Sequence, residues 1–171
     1  LTPVIVTAHL AAAEALVGML ALLYVLVRCH CLRAPASALQ CRPGIGLLWL
    51  TGTTVLVVAC VILSGAYVTR TGGASFACTE VPLCGTSLGD MVNVQWIHMA
   101  HRIIGLLVGL LMLMTLVRST ALHHTGIMAM TSLMTALLTT QMGLGIGNVV
   151  LGLPTEIRAA HLAMAVLFFA V

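Results

Sequence analysis

The chain has 171 residues, 61% of them hydrophobic and 6% charged, with a mean hydropathy of +1.16 and a formal net charge of +3 when histidine is neutral. So few charges cannot solvate the surface of a soluble domain, and a balance of +3 on such a chain is no footprint for nucleic acid. Composition therefore places it in a membrane.

A bilayer core of about 30 Å needs roughly 20 apolar residues at about 1.5 Å each. Segments at about 4–27, 46–68, 96–117, 126–150 and 156–171 meet or begin to meet that requirement. The fifth is still apolar where the sequence stops, in LAMAVLFFAV, and the sequence opens at Leu1 with no initiator methionine, signal peptide or basic flank. The chain is thus expected to be a fragment, cut at both ends.

Arginine sets the orientation, because lysine is absent. The connection after the first span carries Arg28, Arg33 and Arg42, and the one after the third carries Arg118, His123 and His124. The opposite side has only Arg70 and Arg158, balanced by Glu80, Asp90 and Glu156. The positive-inside rule puts loops 28–45 and 118–125 in the cytoplasm and loops 70–94 and 151–156 outside. Tyr24 and Trp49 then fall at inner ends of spans, and Tyr67 and Trp96 at outer ends.

Cysteines divide along the same lines. Cys29, Cys31 and Cys41 lie on the reducing side as thiols, and Cys60 sits within a span as a small apolar residue. Cys78 and Cys84 face the oxidising side in ACTEVPLCG, where a disulfide is expected to close the short loop around Pro82. Two unlinked thiols are the alternative, and the loop offers no CxxC pair or histidine for zinc.

The chain also repeats. Residues 1–13, LTPVIVTAHLAAA, set against residues 153–165, LPTEIRAAHLAMA, give seven identities in thirteen positions, with His9 aligned on His161. The offset covers four spans, so both copies enter the membrane in one direction, as parallel repeats do. The first, third and fifth spans all run inward, and His9, His101 and His161 each fall five or six residues into theirs, about 8 Å below the outer boundary. In a four-helix bundle His101 and His161 would face each other across the core, and two imidazoles at one depth on parallel helices suit the axial positions of a single haem iron. Interhelical hydrogen bonding is the plainer role for any one of these histidines.

Other polar residues are read the same way. His98, one turn above His101, would meet a haem propionate or a substrate, or stand solvated at the interface. Arg70 and Arg102 lie at the outer boundary, where guanidinium pairs with propionates or anchors to lipid headgroups. His30, His123 and His124 are loop residues, the methionines are packing, and Glu14, the one acid within a span, is expected to make a hydrogen bond inside the bundle.

The segments SGAYVTRTGGASFACTEVPLCG, IHMAHRIIG and QMGLGIGNVVLGLPTEIRAAHLAMA, in that order, resemble the haem A synthase family of eight-span membrane enzymes over about residues 45–171. That family is built as two pseudo-symmetric four-helix halves, each with a histidine pair for one haem. The resemblance implies an all-α fold of polytopic transmembrane helices. Residues 1–28 would be the closing helix of an upstream four-helix repeat, 29–45 a cytoplasmic loop, and 46–171 a second repeat truncated in its last helix. It implies His101 and His161 as ligands of a b-type haem. His9 would be the second histidine of the first half, where haem O is the substrate and haem A the product. The first half of the family carries a glutamate three residues before its His-Arg pair. Here that spacing gives His98, as a second-half motif would, so the resemblance implies that the family's catalytic glutamate lies outside this sequence; the catalytic residue stays open, with His9 and His98 as the two candidates. The implied activity is an oxidoreductase converting a ring methyl of haem O to a formyl group, inactive as this fragment alone. Its implied setting is a bacterial plasma membrane, with membrane lipid, a haem O synthase as donor and an unnamed electron acceptor as partners. A di-haem electron carrier of cytochrome b type needs the same histidine bundle, and a haem-free structural subunit is the third reading.

Overall fold

In the computed structural model, residues 2–31, 45–85, 87–121 and 125–170 are described. They form five α-helices: α1 (Pro3–Cys31), α2 (Ile45–Arg70), α3 (Asn93–Thr120), α4 (Thr125–Val150) and α5 (Thr155–Ala170). Short 3-10 turns at Ala74–Phe76 and Leu88–Asp90 interrupt the α2–α3 connection. Four of the helices are long and apolar enough to cross a membrane, and no strand occurs among the described residues. The expected all-α transmembrane architecture is what the chain adopts.

Helix ends run past the apolar segments. The third span, expected from residue 96, begins at Asn93 because Gln95 caps it: the backbone N–H of Val92 donates to Gln95 Oε1 at 3.1 Å. A polar first turn is invisible to a hydropathy window yet satisfies amide groups that a bare helix end leaves unpaired. Between α4 and α5 the chain turns through Gly152 and Leu153, both at positive φ (72° and 63°), while the Leu153 N–H closes α4 on the Asn148 carbonyl at 2.7 Å. Pro154 follows and opens α5, whose Arg158 N–H bonds back to the Pro154 carbonyl at 3.0 Å. That turn fixes where α5 starts, and with it the height of His161 about two turns further in.

Helices α2, α3, α4 and α5 pack in sequence around a ring, with α5 returning to α2, so α3 and α5 stand diagonally across the bundle. Helix α1 lies outside it against α2 and α5. The core holds Val58, Val108, Met112, Leu138 and Phe168, backed by Val61, Ile62 and Met134. Large apolar side chains point outward from every helix, among them Leu56, Leu106, Leu110, Leu133 and Leu167. Polar groups lie within: Ser119 on α3 and Thr131 on α4 are both buried, and their hydroxyls are 2.8 Å apart. This inverts the pattern of a soluble protein. In lipid the hydrophobic effect does not press helices together, and packing with interhelical hydrogen bonds takes its place. Exposed Thr139 and Thr140 meet lipid without cost because each hydroxyl donates to a carbonyl one turn back, at 2.9 and 3.0 Å.

Arg33, Cys41, Arg42, His123 and His124 lie outside the described residues.

Candidate functional site

The two histidines expected to face each other lie on the diagonal helices, His101 on α3 and His161 on α5. Each ring enters the bundle where the neighbouring helix has no side chain. A Cβ added to Gly65 of α2 would stand 3.0 Å from His101 Cε1, and one added to Gly145 of α4 would stand 3.1 Å from His161 Cε1. Both distances are tighter than ordinary contact, so each glycine is the clearance for one imidazole. Sequence reasoning missed this pair, although both glycines fall inside the motifs quoted above, at SGAY and QMGLGIG.

Hydrogen bonds settle the state of His101. Its Nδ1 lies 3.1 Å from the Val61 carbonyl and 2.9 Å from Ser64 Oγ. A carbonyl oxygen has no proton to give, so the proton sits on Nδ1 and Nε2 carries the free lone pair. His161 is held differently. Its Nε2 is 3.4 Å from the Gln141 side-chain nitrogen, and its Nδ1 is buried with no hydrogen-bond partner, as is Gln141 Oε1. Among the described residues no three His, Cys, Asp or Glu side chains converge as a metal cage. Among the described residues the bundle offers these two imidazoles with no third such side chain beside them.

The loop between α2 and α3 is fastened by one stripe of α3. Gln95, His98 and Arg102, spaced three and four residues apart, lie on one helical face, and all three donate to loop carbonyls. Gln95 Nε2 bonds to Ala77 at 3.3 Å, and His98 Nδ1–H to Ala74 at 3.0 Å. From Arg102, Nη1 reaches the carbonyls of Glu80, Pro82 and Leu83 at 2.7, 3.1 and 3.3 Å, and Nη2 reaches that of Cys78 at 3.3 Å. Cys78 and Cys84 are paired and buried with Met91 and Met99 against the start of α3. The solvated interfacial reading of His98 is thereby corrected: the residue is 7% exposed, because the turn at Ala74–Phe76 folds over it.

The remaining candidates do not join the pair. Arg70 is exposed at the end of α2, and His9 is exposed on α1. Glu14 is buried beside a cavity of about 70 Å³ lined by Leu10, Ala13, Val17, Ile62, Val166 and Phe169. Its Oε1 makes no hydrogen bond, contrary to expectation, because every neighbour in that seam is apolar. Cys60 is exposed on the outward face of α2.

A polytopic helical membrane protein with one imidazole on each of two diagonal helices of its bundle, each ring set beside a glycine of the neighbouring helix, is the class that these features define. The family model of the cytochrome oxidase assembly protein, COX15-CtaA, matches residues 1–171, and the chain belongs to that family, the haem A synthase family that its motifs resemble. A curated relative from Shewanella oneidensis named Heme A synthase is 27% identical over 185 residues, a match covering 94% of this chain and 54% of the relative. The chain spans about half the length of the curated relative it matches.

Proposed function

We propose that this chain supplies one half of a membrane oxidoreductase that converts haem O to haem A by oxidising a ring methyl to a formyl group, and that His101 and His161 hold a b-type haem within it. The observation that carries the reading is the pair of histidines on diagonal helices, each admitted by a glycine of the adjoining helix. The donor set fits: an iron-bound histidine donates its other ring N–H to a carbonyl or carboxylate, and His101 does so to Val61 while its Nε2 remains free. The orphaned Nδ1 of His161 and the amide at its Nε2 fit a ring whose partner lies elsewhere in the loaded protein. When bound, the haem supplies redox chemistry, and the protein supplies orientation and a dry pocket.

The remaining roles follow from position. Helix α1 closes an upstream four-helix unit, and His9, exposed on it, is one ligand of the substrate haem, with its partner on that unit. Exposed Arg70 pairs with a propionate at the outer boundary. Arg102 and His98 act beside it by holding the loop that covers that end. Loops 70–94 and 151–156 face outward from a bacterial plasma membrane, haem O arrives from a haem O synthase, and a separate acceptor takes the electrons. On this reading the activity belongs to a longer protein, since the chain spans about half the length of the relative it matches.

The decisive experiment is pigment extraction from membranes that express the intact protein and contain haem O. Haem A is expected in the extract. Membranes that yield only haem O, from protein carrying a full complement of haem, would favour a cytochrome b-type electron carrier built on the same histidine pair.

A further inference from the structure

The hydrogen bonds behind the two histidines are unequal, and this inequality extends the reading of the site as a haem seat, on which it rests. Ser64 Oγ donates to the Val61 carbonyl at 2.8 Å. Its own proton is thus engaged, and toward His101 Nδ1, at 2.9 Å, it presents a lone pair. The Nδ1–H, fixed on nitrogen by the Val61 carbonyl at 3.1 Å, is therefore shared between two oxygens of α2. One hydroxyl ties carbonyl and imidazole into a closed triangle. No such brace stands behind His161, whose Nδ1 is buried and unpartnered.

We propose that Ser64 is a positioning residue for the haem ligand His101: with the Val61 carbonyl it fixes the ring's tautomer and plane and makes the imidazole the more electron-rich of the two ligands. An acceptor on Nδ1–H draws the proton outward and raises the basicity of Nε2, which favours the ferric over the ferrous iron. Two acceptors do this more strongly than one. The effect falls on His101 because Gly65, next to Ser64 in sequence, lets the ring lie close enough to α2 to reach both oxygens.

The test is a redox titration of this chain, purified in detergent with its haem, as wild type, Ser64→Ala and Ser64→Thr. Ser64→Ala is expected to raise the midpoint potential, and a tenfold loss of ferric preference corresponds to about 59 mV for a one-electron couple. The low-spin electron paramagnetic resonance signal of the oxidised haem should shift with it. Ser64→Thr, which keeps the hydroxyl, should return both to the wild-type values. An unchanged or lowered potential in Ser64→Ala would overturn the proposal, and so would a Thr variant that behaves like the Ala variant. If Ser64→Ala fails to retain haem, the Thr variant decides: recovery of haem and potential supports the proposal, and failure refutes it. His101→Ala separates this from the underlying reading, because a wild-type spectrum in that variant would remove His101 from the iron whatever Ser64 does.

Discussion

Gly65→Ala adds one methyl group where the structure has least room for it. The new Cβ would stand 3.0 Å from His101 Cε1 and 3.5 Å from Nδ1, so the ring must retreat by a few tenths of an ångström. It cannot do so freely, because the atoms that hold it, the Val61 carbonyl and Ser64 Oγ, belong to the same helix as Gly65. Moving away from the methyl stretches both bonds. Overpacking costs about 1–3 kcal/mol and a weakened hydrogen bond roughly 0.5–1.5 kcal/mol, against a gain of up to about 1 kcal/mol in helix propensity. The net is a loss of about 1–3 kcal/mol in the competent site, or roughly fivefold to 150-fold in haem affinity. Gly145→Ala approaches His161 Cε1 at 3.1 Å, but that ring lacks a brace on Nδ1 and has more freedom to yield, so its loss should be smaller. Gly52→Ala, with nothing within 4 Å, and Gly105→Ala, 3.8 Å from Val61 Cγ2, serve as neutral controls. Haem-to-protein ratio and thermal release of haem in detergent should rank Gly65→Ala lowest, then Gly145→Ala, then the controls. A Gly65→Ala protein that matches Gly52→Ala would refute the claim that these glycines are clearances for the ligands.

His101→Ala and His161→Ala should each convert a low-spin haem spectrum to high spin or lose the pigment, whereas His9→Ala in this chain should leave it unchanged; loss of haem from His9→Ala alone would mean that the wrong helices have been paired. Arg102→Ala removes the donor to four loop carbonyls, so limited proteolysis should cut the loop between Cys78 and Cys84 faster and dithiothreitol should reduce the pair sooner, while equal rates would show the loop to be held by its covalent closure alone. Alkylation without reductant should leave Cys78 and Cys84 masked in freshly isolated protein, and two modified thiols would contradict the pairing. Glu14→Leu replaces a carboxyl whose Oε1 is buried and unpaired, so the detergent-solubilised protein should gain about 1–3 kcal/mol in thermal stability; a loss would mean that the acid has a partner in the assembled protein.

The fold was legible because lipid simplifies it. Each span must satisfy its own backbone, so length and hydropathy alone locate α1 to α4, and arginine placement proposes their direction. Helix ends were less legible: Gln95 and the first turn of α3 read as loop, since capping is made by a polar side chain that lowers hydropathy just where the helix begins. Matched depth narrowed seven histidines to His9, His101 and His161, because depth is a count along a straight helix, and the four-helix grouping set the last two apart. What surrounds them is no such count. Gly65 and Gly145 act on rings carried by other helices, and nothing within α2 or α4 says which neighbour will need the space.

The stripe of Gln95, His98 and Arg102 shows which question would have found more. Each is a hydrogen-bond donor on one face near the start of α3; taken singly, His98 and Arg102 go to water, lipid headgroups or propionates, and Gln95 receives no role. Taken together at spacings of three and four, they form a row of donors that lipid cannot satisfy, beside a loop closed so tightly between Cys78 and Cys84 that its carbonyls cannot pair among themselves in a ladder. The two deficits cancel: Arg102 takes carbonyls at 78, 80, 82 and 83, His98 takes Ala74, and Gln95 takes Ala77. The loop is therefore held to the same helix that carries His101, one turn above that ring. Whatever moves α3 at its N-terminal end moves both this loop and the His101 ring.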